Sequence, residues 1–217
     1  MKATLLPFPQ KESLLKVLVE GEAVLLGEKV RLQYGLRTPI FIDLRSRLFQ
    51  HPRMFQSLAS SFAHVIGRWS GPGQPQQVIG VPDTGIPLAT ATSLESFNQN
   101  QAHPITLSVL RKHPRVYPRE IVSHFLGEPD SSCQTNLIDD VIASGRSLKA
   151  AVERLREADV QVDRIIVCVD REEGGVEAIA DLEVPVYALY SLSEILDLCP
   201  QNEQQKARVP PPGSVQA

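Results

Sequence analysis

The apolar positions of this chain follow two rhythms. Within Lys11–Glu28, Leu14, Leu15, Leu18 and Val19 recur at i, i+1, i+4 and i+5, which predicts a helix with one buried face, punctuated by Gly21 or Gly27. Val30–Arg45 is turn-rich: Tyr34-Gly35 and Thr38-Pro39 break any helix before Ile40-Phe41-Ile42-Asp43-Leu44, so a hairpin is expected. Pro52–Trp69 returns to helical spacing, with Phe55, Leu58, Phe62 and Val65 three or four residues apart. From Gln77 the pattern becomes short apolar runs bounded by turns: Val78–Val81, Ile105–Leu110, Asn136–Ile138, Ile165–Val169 and Val184–Leu189. Amphipathic or small-residue segments lie between most of them, at Pro87–Phe97, Ser147–Ala158 and Gly175–Ala180. Apolar strands alternating with helices predict an α/β fold whose mostly parallel sheet is covered on both faces. Such sheets bind ligands at the carboxyl ends of their strands, which directs attention to the loops after Val81, Leu110, Ile138 and Val169.

Composition narrows the class. The 217 residues suffice for one α/β domain, expected over 1–199. A 42% hydrophobic and 22% charged content excludes wholesale disorder. The tail at 200–217 is polar and proline-rich and is expected to be disordered. A net charge of −3 argues against a nucleic-acid binder. Cys133, Cys168 and Cys199 have neither disulfide-framework nor zinc spacing, so a reduced compartment is the default. Pro7 interrupts the short apolar start, and no run approaches the roughly 20 residues that span a bilayer. A soluble cytoplasmic protein is expected.

The most informative stretch is Asn136-Leu137-Ile138-Asp139-Asp140-Val141-Ile142-Ala143-Ser144-Gly145-Arg146-Ser147-Leu148. An apolar strand delivers two adjacent carboxylates, and a short loop of small and hydroxylic residues leads into a helix. Loop N–H groups, the Ser144 and Ser147 hydroxyls and the helix start would cradle a phosphate monoester. Carboxylates accept hydrogen bonds and do not donate, so the pair suits vicinal sugar hydroxyls or a divalent metal. The same residues also read as a helix cap and a solvated neighbour. A receiver-type signalling domain would carry paired acids nearer its start.

Asp139–Ser147 resembles the phosphoribosyl-pyrophosphate (PRPP) signature of type I phosphoribosyltransferases. Three more segments narrow the likeness to orotate phosphoribosyltransferase. Leu32–Arg45 is similar to its N-terminal orotate-side hairpin, Val78–Ala89 to its pyrophosphate loop, and Val169–Gly175 to the segment supplying its orotate-recognising arginine. The likeness runs over roughly 11–199 and implies a central sheet flanked by helices, with 11–50 forming a helix-hairpin hood on the substrate side.

Each of the other segments also has a plainer reading. Asp83, Thr84 and Gly85 form either an anion-binding loop, which the resemblance assigns to pyrophosphate, or a turn that caps the next helix. The run Arg111-Lys112-His113-Pro114-Arg115-Val116-Tyr117-Pro118-Arg119 is either a solvated basic loop or a clamp for pyrophosphate. The resemblance makes it a mobile loop closing over the neighbouring subunit's site. Arg111 and Lys112 match its pattern, Arg115 stands at its lysine and Tyr117 at a histidine-or-tyrosine position. Arg171 is either a fork for a carboxylate or carbonyl edge, or an ion-pair partner of Asp170, Glu172 or Glu173. Phe41 either stacks on a flat base or packs in the core. His51, His64, His103 and His124 have no ligand spacing.

Three positions depart from the family pattern. Gln33 replaces a lysine reaching the pyrophosphate, Arg115 replaces the mobile-loop lysine, and Ala143 replaces a threonine. Exchanging a charged hydrogen bond for a neutral one loses about 1.5–3 kcal/mol, or about 10- to 150-fold. Pro114 and Pro118 stiffen the loop. The resemblance implies transfer of the phosphoribosyl group of PRPP to orotate, with Mg2+ bound mainly through PRPP and no metal-ligating residue assigned. The implied catalytic set is Arg115, Lys112, Asp139 and Asp140. The implied binding set is Arg111, Asp83, Thr84, Gly85, Ser144, Gly145, Arg146, Ser147, Arg171, Phe41, Gln33 and Tyr117. A homodimer with shared sites is expected, with no nucleic-acid or membrane partner. The alternative is a weak or inactive PRPP- or nucleotide-binding regulatory module.

Overall fold

Leu14, Leu15 and Leu18 bury one face of helix α1 (Lys11–Glu20), which ends where the Gly21 N–H bonds back to Val17. Glu22 then takes a left-handed φ of 57°, and strand β2 follows at Val24–Arg31. The helix expected to reach Glu28 therefore stops short, because Gly21 and Glu22 turn the chain before Val24. This computed structural model describes residues 2–31, 37–100, 102–117 and 121–198, and no side chain within 26–40 or 117–122. Gln33, Cys199 and the tail at 200–217 lie outside the described residues, and so does the side chain of Tyr117.

Strand β1 (Thr4–Leu5) precedes α1 and is too short to show a pattern in the sequence. Strands β2 and β3 (Arg37–Ile42) form the expected antiparallel hairpin, with Val24 opposite Ile42 and Leu25 opposite Phe41. Asp43 then caps the short helix α2 (Leu44–Leu48) by accepting the Ser46 N–H at 3.1 Å. Helix α3 (Pro52–Gly67) begins on a proline, which lacks only an N–H that a first turn leaves unpaired.

The rest alternates: β4 (Gln76–Gly80), α4 (Gly85–Gln99), β5 (Thr106–Tyr117), β6 (Ile121–Leu126), β7 (Gln134–Ile142), α5 (Arg146–Glu157), β8 (Arg164–Asp170), α6 (Gly175–Ala178), β9 (Val186–Ser191) and α7 (Leu192–Leu198). The main sheet has the order β1-β9-β8-β7-β4-β5-β6, with every neighbouring pair parallel except β5 and β6. The loop expected after Leu110 is instead the continuation of β5. It pairs with β6 as far as Tyr117, with a register shift between Leu110 and Arg115. Pro114 lies in that irregular stretch, where a residue without an N–H does least harm to a ladder.

Consecutive strand residues sort to opposite faces. Val78, Ile138 and Ile166 join the core beneath α1, α2 and α3, while Ile79, Leu137 and Ile165 join Leu148, Val152 and Leu155 of α5. This two-sided burial explains why the strands read as unbroken apolar runs. Cys133 and Cys168 are both free thiols, and Cys168 is buried in β8, where desolvation pushes its thiol up.

The amino-terminal ends of the strands carry a buried polar network. Asn136 donates to the Gln76 side chain at 3.1 Å and to the carbonyls of Gln77 and Gln134. Arg164 donates to Gln134 at 2.9 Å and lies 4.4 Å above the Trp69 ring. Asn136→Ala strands these acceptors away from water, which costs about 1–3 kcal/mol. In a domain of this size that is about 2–4 °C of melting temperature per kcal/mol. Thermal unfolding should record the loss, while ligand binding at the opposite strand ends stays unchanged.

Candidate active site

Strand β7 carries Asp139 and Asp140 into the interior at 6% and 5% exposure. The acids lie within the strand and not after it, because Val141 and Ile142 continue pairing with Val169 and Asp170 of β8. The Asp140 N–H donates to Asp139 Oδ1 at 2.9 Å. Burial holds the Asp139 carboxyl well above the usual carboxylate range, and the neighbouring Asp140 charge adds to it, while Arg45 pulls the other way. Both acids line a cavity of about 250 Å3, together with Ile42–Arg45, Ala143–Leu148 and Arg171.

The turn after β7 opens that cavity. Gly145 takes a φ of 75°, and a Cβ there would stand 2.6 Å from the Gly175 carbonyl oxygen. A Cβ on Gly175 would stand 2.3 Å from the Ala143 oxygen. The turn thus packs backbone to backbone against the start of α6, and both contacts require glycine. Gly145 offers no side chain to cap α5, and the first turn of that helix has no acid. The first turn of α5 lines the cavity beside Ser144 with its amides uncapped by a side chain, an arrangement suited to a phosphate. Arg146 Nε donates to Ser144 Oγ at 3.3 Å.

The loop from β4 to α4 lies alongside. A Cβ on Gly85 would stand 2.5 Å from the Ile138 carbonyl oxygen, so the start of α4 presses closely on β7. Thr84 is buried, but its hydroxyl makes no cap bond to the helix; it accepts from Arg45 Nε at 3.2 Å. Asp83 is exposed and pairs with Lys112 at 3.7 Å.

Arg171 makes the ion pair of its plainer reading and also stands beside the acidic pair. It lines the cavity, and its guanidinium meets Glu173 at 2.6 Å. Its backbone N–H is held by the Ile142 carbonyl at 3.0 Å. Buried Asp170 accepts the N–H groups of Ala3 at 3.1 Å and Glu172 at 2.8 Å, which fixes the loop.

One cavity therefore brings together Asp139, Asp140, Ser144, Gly145, Arg146, Ser147 and Arg171. Asp83, Thr84, Gly85, Arg111, Lys112, Arg115 and Phe41 are not in its lining. Arg111 is engaged within its own hairpin, donating through Nε to the Phe125 carbonyl at 3.0 Å. Arg115 is exposed on β5, opposite Ser123. Phe41 is half-buried on β3, and the neighbouring Ile42–Arg45 reach the cavity instead. Arg45 is the lining cation to which sequence reasoning assigns no role. Its only signal is the helix cap at Asp43, which fixes where the following residues point. Among the described residues, no three His, Cys, Asp or Glu side chains converge on a metal position. A divalent ion at the acidic pair would draw most of its oxygens from a bound substrate.

The family model for the phosphoribosyl transferase domain matches residues 45–184. An orotate phosphoribosyltransferase of Methanoculleus marisnigri is 31% identical over 183 residues, 83% of this chain and 95% of that protein. The orotate phosphoribosyltransferase of Methanosarcina mazei is 30% identical over 187 residues, 86% of this chain and 92% of its own. The crystal structure of the Aeropyrum pernix orotate phosphoribosyltransferase superposes with a TM-score of 0.63 at 28% identity, covering 85% of this chain and 96% of that one.

Asp139 gives the site a pH signature. Unfolded, its carboxyl ionises in the ordinary range; folded, it holds its proton to higher pH. The fold therefore loses stability as pH rises from the ordinary carboxylate range through the raised value. Asp139→Asn should raise the melting temperature near about pH 8, by about 2–4 °C per kcal/mol recovered, and change it little near about pH 4, where the carboxyl is neutral. Equal shifts at both pH values would refute this account.

Proposed function

We propose that this chain, which belongs to the phosphoribosyl transferase domain family, transfers the phosphoribosyl group of PRPP to orotate, yielding orotidine 5′-monophosphate and pyrophosphate. The observation that carries the reading is the single cavity uniting a buried acidic pair, an uncapped helix start and Arg171. The names of the relatives are those of enzymes, which favours catalysis over a regulatory binding module.

Asp139 and Asp140 accept from the ribose 2′- and 3′-hydroxyls, and the loop of Ser144, Gly145, Arg146 and Ser147 holds the 5′-phosphate through hydroxyls and amides. The bond from C1′ to the diphosphate breaks, a bond from C1′ to the orotate ring nitrogen forms, and the ring nitrogen gives up its proton. Positive charge gathers on the ribose in between, so the protein acts by positioning and by electrostatics. The pyrophosphate lies against Asp83, Thr84 and Gly85, and Arg111, Lys112 and Arg115 neutralise it across a homodimer interface. When bound, Mg2+ would be carried chiefly on the diphosphate and would supply further charge neutralisation. Gln33 and Tyr117 bind substrate in this reading, as the family resemblance implies, and Phe41 stacks on the base. Residues 11–50 act as the hood of a single domain over 1–199.

Arg171 reads the orotate carboxylate by exchanging Glu173 for it, one carboxylate for another in the same fork. The reading includes a cytoplasmic setting, and among the described residues no helix is long and apolar enough to cross a membrane.

Purified protein given PRPP, Mg2+ and orotate should consume orotate, followed by its ultraviolet absorbance; no consumption would sink the reading. Arg171→Ala should raise the KM for orotate about 10- to 150-fold, the ratio for a lost charged hydrogen bond, and leave the KM for PRPP near its original value.

A further inference from the structure

We propose that Arg45 is a further substrate-contacting residue of this site, gripping the diphosphate of PRPP where it joins the ribose. The inference rests on reading the cavity as a PRPP site.

The backbone around Arg45 is fixed on both sides. The Asp43 N–H is held by the Ala23 carbonyl at 2.8 Å, its carboxylate caps α2 through Ser46, and Ile42 and Leu44 are buried. The residue after Leu44 is thereby directed into the cavity, whose lining includes Arg45. Arg45 Nε is committed to Thr84 Oγ1 at 3.2 Å, and Thr84 is 1% exposed, so the guanidinium is aimed by a buried anchor. Among the described residues no side chain or carbonyl bonds its two terminal nitrogens. Four N–H donors in a rigid fork therefore remain for an anion.

The charge of Arg45 also bears on Asp139 across the cavity. Arg45 lines the same cavity as Asp139 and Asp140, and its bond to Thr84 ties it to the loop before α4. A sugar held by Asp139 and Asp140 would direct its C1′ substituent into that cavity. The lining holds two further cations, Arg146 in the turn after β7 and Arg171, which pairs with Glu173. The bond to Thr84 sets Arg45 on the loop side, which selects a diphosphate over a base carboxylate as its ligand.

Calorimetry with inorganic pyrophosphate and Mg2+, and separately with PRPP and Mg2+, tests the assignment without orotate. Arg45→Gln should weaken both about 10- to 150-fold, and Arg45→Lys should recover part of the loss. Thr84→Val should weaken both in the same direction, because it removes the anchor that aims Arg45 together with the loop's own Thr84 contact to the pyrophosphate. In turnover, the KM for PRPP should rise in Arg45→Gln while that for orotate stays put. Unchanged binding of both ligands by Arg45→Gln overturns the role of Arg45 alone, and so does a rise confined to the KM for orotate. Failure of the unaltered protein to bind PRPP overturns the underlying site reading as well.

Discussion

Two adjacent carboxylates are enclosed within a strand of a parallel sheet, and most of the site follows from making that tolerable. Such groups lose hydration, and the Asp140 charge raises the energy of ionising Asp139. Among the described residues one backbone amide, that of Asp140, donates to Asp139. The remaining acceptor capacity points into a cavity and suits a ligand rich in hydroxyl donors. The pair is therefore electrostatically uncomfortable within the fold alone, and hydroxyl donors would relieve it. Stability is given up locally at the place where binding needs unsatisfied groups.

The opposite strand ends follow the reverse rule. Gln76, Gln77, Asn136 and Arg164 are polar and largely buried too, yet their donors and acceptors find protein partners. Satisfied polar groups rigidify, while unsatisfied ones await a ligand. The same sheet is anchored at one end and reactive at the other, which lets the apolar layers between them serve both.

The sheet was legible because burial on two faces demands continuous apolar runs, as at Ile165–Val169, and turns must separate them. The acidic pair and the following loop were legible because few structural roles place Asp-Asp beside Ser-Gly at a strand end. The β5–β6 hairpin was not legible. Arg111–Tyr117 is polar and contains proline, and an arm that packs little of itself leaves no apolar imprint. Helix α1 was overextended because Val24, Leu25 and Leu26 suit a helical or an extended rhythm equally, and the left-handed Glu22 decides between them. Arg45 escaped notice because its partner Thr84 lies 39 residues later, a meeting that no local pattern announces. Asp83 and Phe41 lie outside the cavity lining, Asp83 exposed and paired with Lys112 and Phe41 half-buried on β3.

Gly145 and Gly175 touch through their main chains, one in the phosphate turn and the other just beyond Arg171. Neither can acquire even a methyl group without displacing the other's segment. The two turns are consequently interlocked like meshed teeth, and a side chain can enter one only if the other shifts with it.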